Sequence, residues 1–412
     1  MMPSLSKHHE FFPFADSLRI NSISPKVVRM TLKNRPDIRI ITRLVPPSGN
    51  LVQGQSELTI SPALAEAASK YIAASANHYS PAEGDGALLR AVTESVRRVN
   101  GVELDPTDAS PQLLISHGAT GALVAIAEAY LKGGCALVFE PYYPYHRRIV
   151  EECGGSTSVL PLRGEQLALD PEELRARCRE LKQSVTSPLR AIICCTPANP
   201  TGKVFAAGEL KLIADVCQEF DLLCISDEVY EHFVERQHVQ ACVATLPGMW
   251  ERTITVNSFS KSWNISGWRL GYVYGPSRLI APLKNTLNVF YVCSPTPLQR
   301  ALSEVLVSEV DYYDRLREKF ESKRSLATRV LKEVGFRVYD SGSMFYVWAR
   351  LPERFEDAVV LNDMLIKEAG VGAVPGSAFA DSDDWDNYMR LCIAREDEML
   401  RGAFDRLQNF FL

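Results

Sequence analysis

The chain has 412 residues, 46% of them hydrophobic and 23% charged, with a net charge of −5. That length suits two or three domains of roughly 100–200 residues, and the composition excludes intrinsic disorder for most of it. The acidic balance argues against nucleic acid as the main ligand, because phosphate binding needs a basic excess or patch. No apolar run approaches the roughly 18 residues needed to cross a bilayer; the most apolar stretch, Gly121 to Phe139, is interrupted by Glu128 and Lys132.

Residues 1–50 read as an irregular arm, punctuated by Pro13, Pro25, Pro36, Pro46 and Pro47. The opening MMPSLSKHHEFFPF lacks the apolar centre of a secretory signal. The ten cysteines include no C-x-x-C pair, so neither a zinc site nor a redox motif is supported. Their apolar neighbours predict reduced, buried thiols, and a cytoplasmic location is expected.

Ser61-Pro62 ahead of ALAEAASKYIAAS predicts a helix with Ser61 as N-cap and Pro62 at its first position. LLRAVTESVRRVN (88–100) predicts a second, ended by Gly101. Short apolar runs then alternate with helical segments: LLIS (113–116), ALVFE (136–140), AIICC (191–195), LLCIS (222–226), TITVNS (253–258) and LGYVYG (270–275). The alternation predicts an α/β architecture around a mainly parallel sheet. One long helical stretch is expected over about 296–334. Beyond Gly335, FRVYD, MFYVWARL and a last helix in REDEMLRGAFDRLQNF predict a smaller α+β unit. The expected division is an arm with part of the small domain over 1–55, a large domain over 56–310 and a small domain over 311–412. No internal repeat is evident.

The ends of such strands are where an α/β protein keeps its ligand site. Ser116-His117-Gly118-Ala119-Thr120-Gly121 follows LLIS and opens a helix. Small residues there let backbone N–H groups face an anion. Asn199-Pro200-Thr201-Gly202 follows AIICC, and Asp227, with Glu228 and Tyr230 beyond it, ends LLCIS. A carboxylate buried there needs a cation or strong donors. Ser258-Phe259-Ser260-Lys261 follows TITVN, with Arg269 eight residues on. Desolvation on a short loop lowers a lysine's pKa and makes it a Schiff-base nucleophile. Each signal has an ordinary reading alone: a βα turn, a β-turn, a capping Asp, a solvated Lys. In this order they meet the needs of pyridoxal phosphate, which takes a lysine for its aldehyde and a carboxylate for its ring nitrogen. It also takes donors for its phenolic oxygen, and hydroxyls, amides and an arginine for its phosphate.

The sequence resembles the fold-type-I pyridoxal-phosphate enzymes of the class I/II aminotransferase family, from about Gly54 to the C-terminus. PYYPY (141–145), VPGSAF (374–379) and MRLCIARED (389–397) occur in the family's order. The resemblance implies a seven-stranded, mainly parallel sheet flanked by helices, plus a smaller α+β domain. It implies that Lys261 holds the cofactor and then shuttles a proton, while Asp227 pairs with the ring nitrogen. Asn199 and Tyr230 would bond the phenolic oxygen, and Tyr143 would stack on the ring. Gly118, Ala119, Thr120, Ser258 and Arg269 would hold the phosphate. Arg390 would fork onto the substrate α-carboxylate, with Gly54 and Asn199 alongside. Tyr79 would reach the phosphate of the other subunit of a homodimer.

Some positions depart from the pattern. Thr120 stands where certain aspartate-specific relatives carry a lysine, and Gln55-Ser56-Glu57 replaces the usual continuation after Gly54. Glu57 and Glu83 are weak candidates for meeting a basic substrate, His117 reads as a packing residue and Glu228 as structural. The expected activity moves an amino group from an amino acid to a 2-oxo acid in a ping-pong cycle. The alternative is a lyase or cyclase on the same fold, which starts from the same Cα deprotonation. A non-catalytic ligand sensor lacks its DNA-binding module here. A nicotinamide-dependent dehydrogenase lacks G-x-G-x-x-G after a strand.

Overall fold

The computed structural model describes residues 37–74, 77–105, 110–236 and 241–412. The readings placed on residues 1–36 lie outside the described residues.

Seven strands form the larger sheet: β1 (Leu113–Ser116), β2 (Cys135–Glu140), β3 (Ser156–Pro161), β4 (Leu189–Cys195), β5 (Leu223–Asp227), β6 (Thr253–Ser258) and β7 (Gly271–Tyr274). Their order is β1-β7-β6-β5-β4-β2-β3. β7 runs antiparallel to both neighbours and the other pairings are parallel. β1, β2, β6 and β7 are buried along their whole length, which explains their continuous apolar runs. β1 and β6 therefore point the same way, so the C-terminal ends of β1, β4, β5 and β6 share one edge. β7 begins at that edge, because Gly271 pairs with Ser116 on one side and Ser258 on the other.

The smaller sheet is antiparallel, in the order β10-β11-β9-β8. Its strands are β8 (Arg337–Val338), β9 (Tyr346–Arg350), β10 (Val374–Pro375) and β11 (Tyr388–Cys392). Residues 50–55 are strapped against it. Leu51 N–H donates to Gly372 O at 3.0 Å and its carbonyl accepts from Cys392 N–H at 2.8 Å. The buried Arg395 guanidinium donates to the carbonyls of Asn50, Gln53 and Gln55 at 2.7–2.9 Å. One side chain thus ties three carbonyls of the strap to the small domain.

Several expectations need correction. The arm is not irregular throughout: Ile38–Leu44 is a helix, capped by the Asp37 side chain, with Ile41 in the core. The long helical stretch is two helices, Thr296–Ser308 and Tyr312–Glu333, broken at 309–311. Glu309 closes the first, and its carboxylate takes bonds from Arg315 and from the Ser61 hydroxyl. Ser61 is therefore an N-cap residue by position only, since its hydroxyl makes no cap bond to its own helix. The helix expected from Leu88 starts at Gly86 on an Asp85 cap. β3 and the helices Pro171–Lys182 and Ser277–Tyr291 were not anticipated. β3 is a half-polar edge strand, and Pro282 interrupts the helical pattern of the last. All ten cysteines are free, and only Cys195 and Cys293 are partly exposed. No helix among the described residues is long and apolar enough to cross a membrane.

Candidate active site

A cavity of about 150 Å³ opens at the shared strand edge. It is lined by Ala119, Thr120, Tyr143, Asn199, Asp227, Tyr230, Ser258, Lys261 and Arg269, together with Tyr145, Cys195, Val229, Ser260 and Ser266. The first group belongs to the expected set. The second was not assigned a role, although Ser260 sits inside the quoted SFSK motif.

At one end, helix Gly118–Ile126 begins directly after β1. Gly118 has φ +64°, and a methyl group there would lie 2.6 Å from Arg269 Nη2. Only glycine lets the turn approach this guanidinium so closely. Arg269, itself at φ +57°, donates to Ser266 O at 2.9 Å and His117 O at 3.2 Å. Neutral carbonyls hold it, and no carboxylate pairs with it among the described residues. Ser258 Oγ accepts from Ser260 N–H at 3.1 Å and lies 2.8 Å from Ser260 Oγ. Helix N–H groups, hydroxyls and an unneutralised arginine suit a dianionic phosphate.

Asp227 ends β5 and is buried. Its Oδ2 lies 2.7 Å from His146 Nε2, and its Oδ1 accepts from Val229 N–H at 3.3 Å. The partner is thus an imidazole rather than a lysine or arginine. His146 was missed in the sequence, but a signal existed. It shares a buried face with Ile149 and Val150 on helix Pro144–Glu152, the i, i+3, i+4 pattern of a core-facing stripe. The Tyr143 ring meets His146 edge-on, with centroids 5.3 Å apart.

Asn199 follows β4 and links the cavity wall to Arg390 beyond it. Its Nδ2 donates to Tyr230 Oη at 3.4 Å, and its Oδ1 accepts from Arg390 Nη1 at 2.9 Å. Tyr230 Oη also lies 3.3 Å from Tyr346 Oη. Burial pushes the Tyr346 phenol up to about 12 and Tyr230 well above its ordinary value. Both keep their protons near neutral pH and remain donors.

Lys261 Nζ donates to Gly54 O at 2.8 Å. Desolvation, with Arg390 and Arg269 adding like-charge repulsion, pushes its pKa down to about 8. A side chain at Gly54 would collide with the Tyr346 hydroxyl, which itself donates to Gly54 O at 3.2 Å. Glycine is therefore required where the strap crosses the lysine.

Arg390, on β11, is 2% exposed. It donates to Val52 O at 2.8 Å and lies between the Tyr346 and Phe379 rings at 4.3 and 4.9 Å from their centroids. Its Nε is buried with no partner. A guanidinium with neutral partners and an orphaned donor is costly unless an anion completes it.

Some expected residues lie elsewhere. Tyr79 is 83% exposed and does not line this chain's cavity. Glu57 lies 3.4 Å from Arg395, and Glu83 pairs with Lys284; neither lines the cavity. His117 stacks on Tyr291 with centroids 4.3 Å apart, as a packing residue does. Glu228 is buried and takes a bond from Ser226 Oγ at 2.7 Å.

These residues fit pyridoxal phosphate. Gly118 leaves room beside Arg269, Asp227 offers a buried acceptor, and Lys261 is a poised amine. Residues 48–407 match the family model described as Aminotransferase class I and II. The chain belongs to that family.

An aspartate aminotransferase of Pyrococcus abyssi is 31% identical over 387 residues, covering 92% of this chain and 97% of its own. A probable N-succinyldiaminopimelate aminotransferase DapC of Mycobacterium tuberculosis is 33% identical over 371 residues, covering 87% and 91%. The solved structure of N-succinyldiaminopimelate aminotransferase from Mycobacterium tuberculosis superposes with a TM-score of 0.84 at 31% identity, covering 92% of this chain and 98% of that one. This aminotransferase is accordingly an enzyme of PLP transferase fold type I that depends on pyridoxal phosphate, and it transfers amino groups between amino acids and 2-oxo acids. The named relatives support transamination over the lyase or cyclase alternative.

Proposed function

We propose that the cavity residues divide the reaction among them in the roles the family resemblance implies. The observation that carries this is the pair Lys261 and Arg390. The lysine amine rests on the Gly54 carbonyl, and the strap of which Gly54 is part also supplies the Val52 carbonyl that holds Arg390. An α-carboxylate forked onto Arg390 brings the substrate Cα toward that amine. Bound pyridoxal phosphate supplies an electron sink for the charge left on Cα when its proton departs. Lys261, with its pKa pushed down to about 8, would act as the base that takes the Cα proton and, once protonated, as the acid that gives it back. Asp227, held by His146 at 2.7 Å, keeps the ring nitrogen protonated. Asn199 and Tyr230 would donate to the phenolic oxygen, and Tyr143 would lie against the ring. Gly118, Ala119, Thr120, Ser258 and Arg269 hold the phosphate.

The working unit is a homodimer with shared sites. Tyr79 is 83% exposed, as are the apolar Val289 (78%) and Phe290 (59%). Gln299 ties Ser80 to Ser294 through bonds of 3.0 and 2.7 Å, which draws the stretches carrying these residues together. An exposed apolar group of this kind suits an interface, and Tyr79 there would contact the phosphate of the partner subunit. The large domain spans 56–310, and 311–412 with part of 1–55 forms the small one, a division supported by the two separate sheets and the strap on β11. A cytoplasmic location accords with ten free cysteines.

Initial rates at several fixed concentrations of an amino acid and a 2-oxo acid test this reading. Parallel double-reciprocal lines are expected, with one equivalent of the new amino acid formed per 2-oxo acid consumed. Intersecting lines, or ammonia without amino acid, would count against it.

A further inference from the structure

Tyr145, in the cavity wall, touches another cation. Helix Ile38–Leu44 carries Arg39, which is exposed. Its Nη2 donates to Tyr145 Oη at 2.6 Å. Tyr145 lines the cavity and stacks on Tyr143, with centroids 5.4 Å apart and planes 18° from parallel.

The Arg39 guanidinium is left charged by its surroundings. Asp37, two residues before it, spends a carboxylate oxygen on the Arg39 backbone N–H at 2.7 Å. No carboxylate pairs with the guanidinium among the described residues. Arg147, on the same helix as Tyr145, differs: Asp381 neutralises it at 2.6 Å. A phenol fixes one N–H of a guanidinium without cancelling its charge, and the remaining donors stay free for a carboxylate. Arg269 and Arg390 are held in the same manner, by carbonyls and an amide. Thr120, on the cavity wall, adds a hydroxyl but no charge.

We propose that Arg39, steadied by Tyr145, is a specificity-determining residue that binds the distal carboxylate of a dicarboxylic amino acid or 2-oxo acid. This rests on the reading of Arg390 as the α-carboxylate site, since the two cations then take the two ends of one substrate. Because Arg39 is exposed, its contribution is moderate and weakens with salt.

Arg39→Gln tests the proposal. The cofactor-loaded enzyme is assayed with glutamate and aspartate, and with phenylalanine and alanine, as donors. Titration calorimetry then gives Kd for glutarate and for butyrate, which share one carboxylate and differ in the second. The variant is expected to lose about tenfold in kcat/KM for the acidic donors and less than about twofold for the neutral ones. Glutarate binding should weaken by a similar factor, with a reduced salt dependence, and butyrate binding should hold. Tyr145→Phe, which frees the guanidinium but keeps the ring, should give a smaller loss of the same selective kind. Equal losses for acidic and neutral donors, no loss at all, or glutarate bound no tighter than butyrate by the wild type would each overturn it. Failure of the underlying reading looks different: Arg390→Ala would then leave butyrate binding and every donor unchanged, and the proposal would fall with it.

Discussion

Arg269, in the cavity wall, and Arg390, joined to that wall through Asn199, are held by the same device and assembled by different routes. Arg269 rests on the carbonyls of Ser266 and His117. The turns that supply them meet because Gly271 pairs with both Ser116 and Ser258. Sheet register brings these turns together within one subunit. Arg390 rests on Val52 and Asn199 and packs on Tyr346 and Phe379. Those residues come from four separate stretches of chain, and Arg395 pins one of them in place through three carbonyls. The lesson is that the cofactor end is a local consequence of the large sheet, whereas the substrate end depends on long-range docking. The two should fail independently.

Mutation separates them. Arg390→Ala should lower kcat/KM for amino acids by roughly 10²–10³-fold, the cost of removing a buried charge partner. Cofactor affinity should hold within about threefold; a parallel loss of cofactor would break the comparison. Arg269→Ala should do the reverse. Its cofactor Kd, measured by equilibrium dialysis, should rise roughly 10–100-fold, in line with a lost charged hydrogen bond. Saturating cofactor should then restore the KM for the amino acid.

Gly54→Ala sharpens the point at the strap. The added methyl meets the Tyr346 hydroxyl, and overpacking of this kind should raise KM about tenfold, with circular dichroism unchanged. The smallest effect is a pH dependence of the cofactor-free enzyme. The Lys261 pKa is lowered to about 8, so its amine is protonated below that value and neutral above it. Acylation of Lys261 by a small reagent, followed by peptide mass spectrometry, should rise with pH and level off just above 8. Surface lysines should keep gaining reactivity toward about 10.4.

The same contrast decides what could be read from the sequence. Gly118, Asn199, Asp227, Ser258 and Lys261 each sit at the end of an apolar run, so period and chain order expose them. His146 is hidden within a short helix, and its role depends on which strand that helix covers. Tyr346 reads as one more aromatic in MFYVWARL until the smaller sheet turns it onto Arg390. Arg395 reads as one more charge in ARED, because three carbonyls from residues 50–55 are invisible at that distance. Helix Ile38–Leu44 is too short for a periodic signal, and its stability comes from burying Ile41 against the body of the protein. The break at 309–311 carries a bond between Glu309 and Ser61, residues far apart in sequence.

Lys261 joins both ends, and its removal tests the account most directly. The visible spectrum of cofactor-loaded wild type and Lys261→Ala would be followed through addition of an amino acid and then a 2-oxo acid. The account predicts a band that shifts with the amino acid and returns with the 2-oxo acid in the wild type. It predicts a rate for that cycle lower by roughly 10⁴-fold in the variant, as loss of the general base implies. A Lys261→Ala enzyme that cycles at the wild-type rate would contradict it.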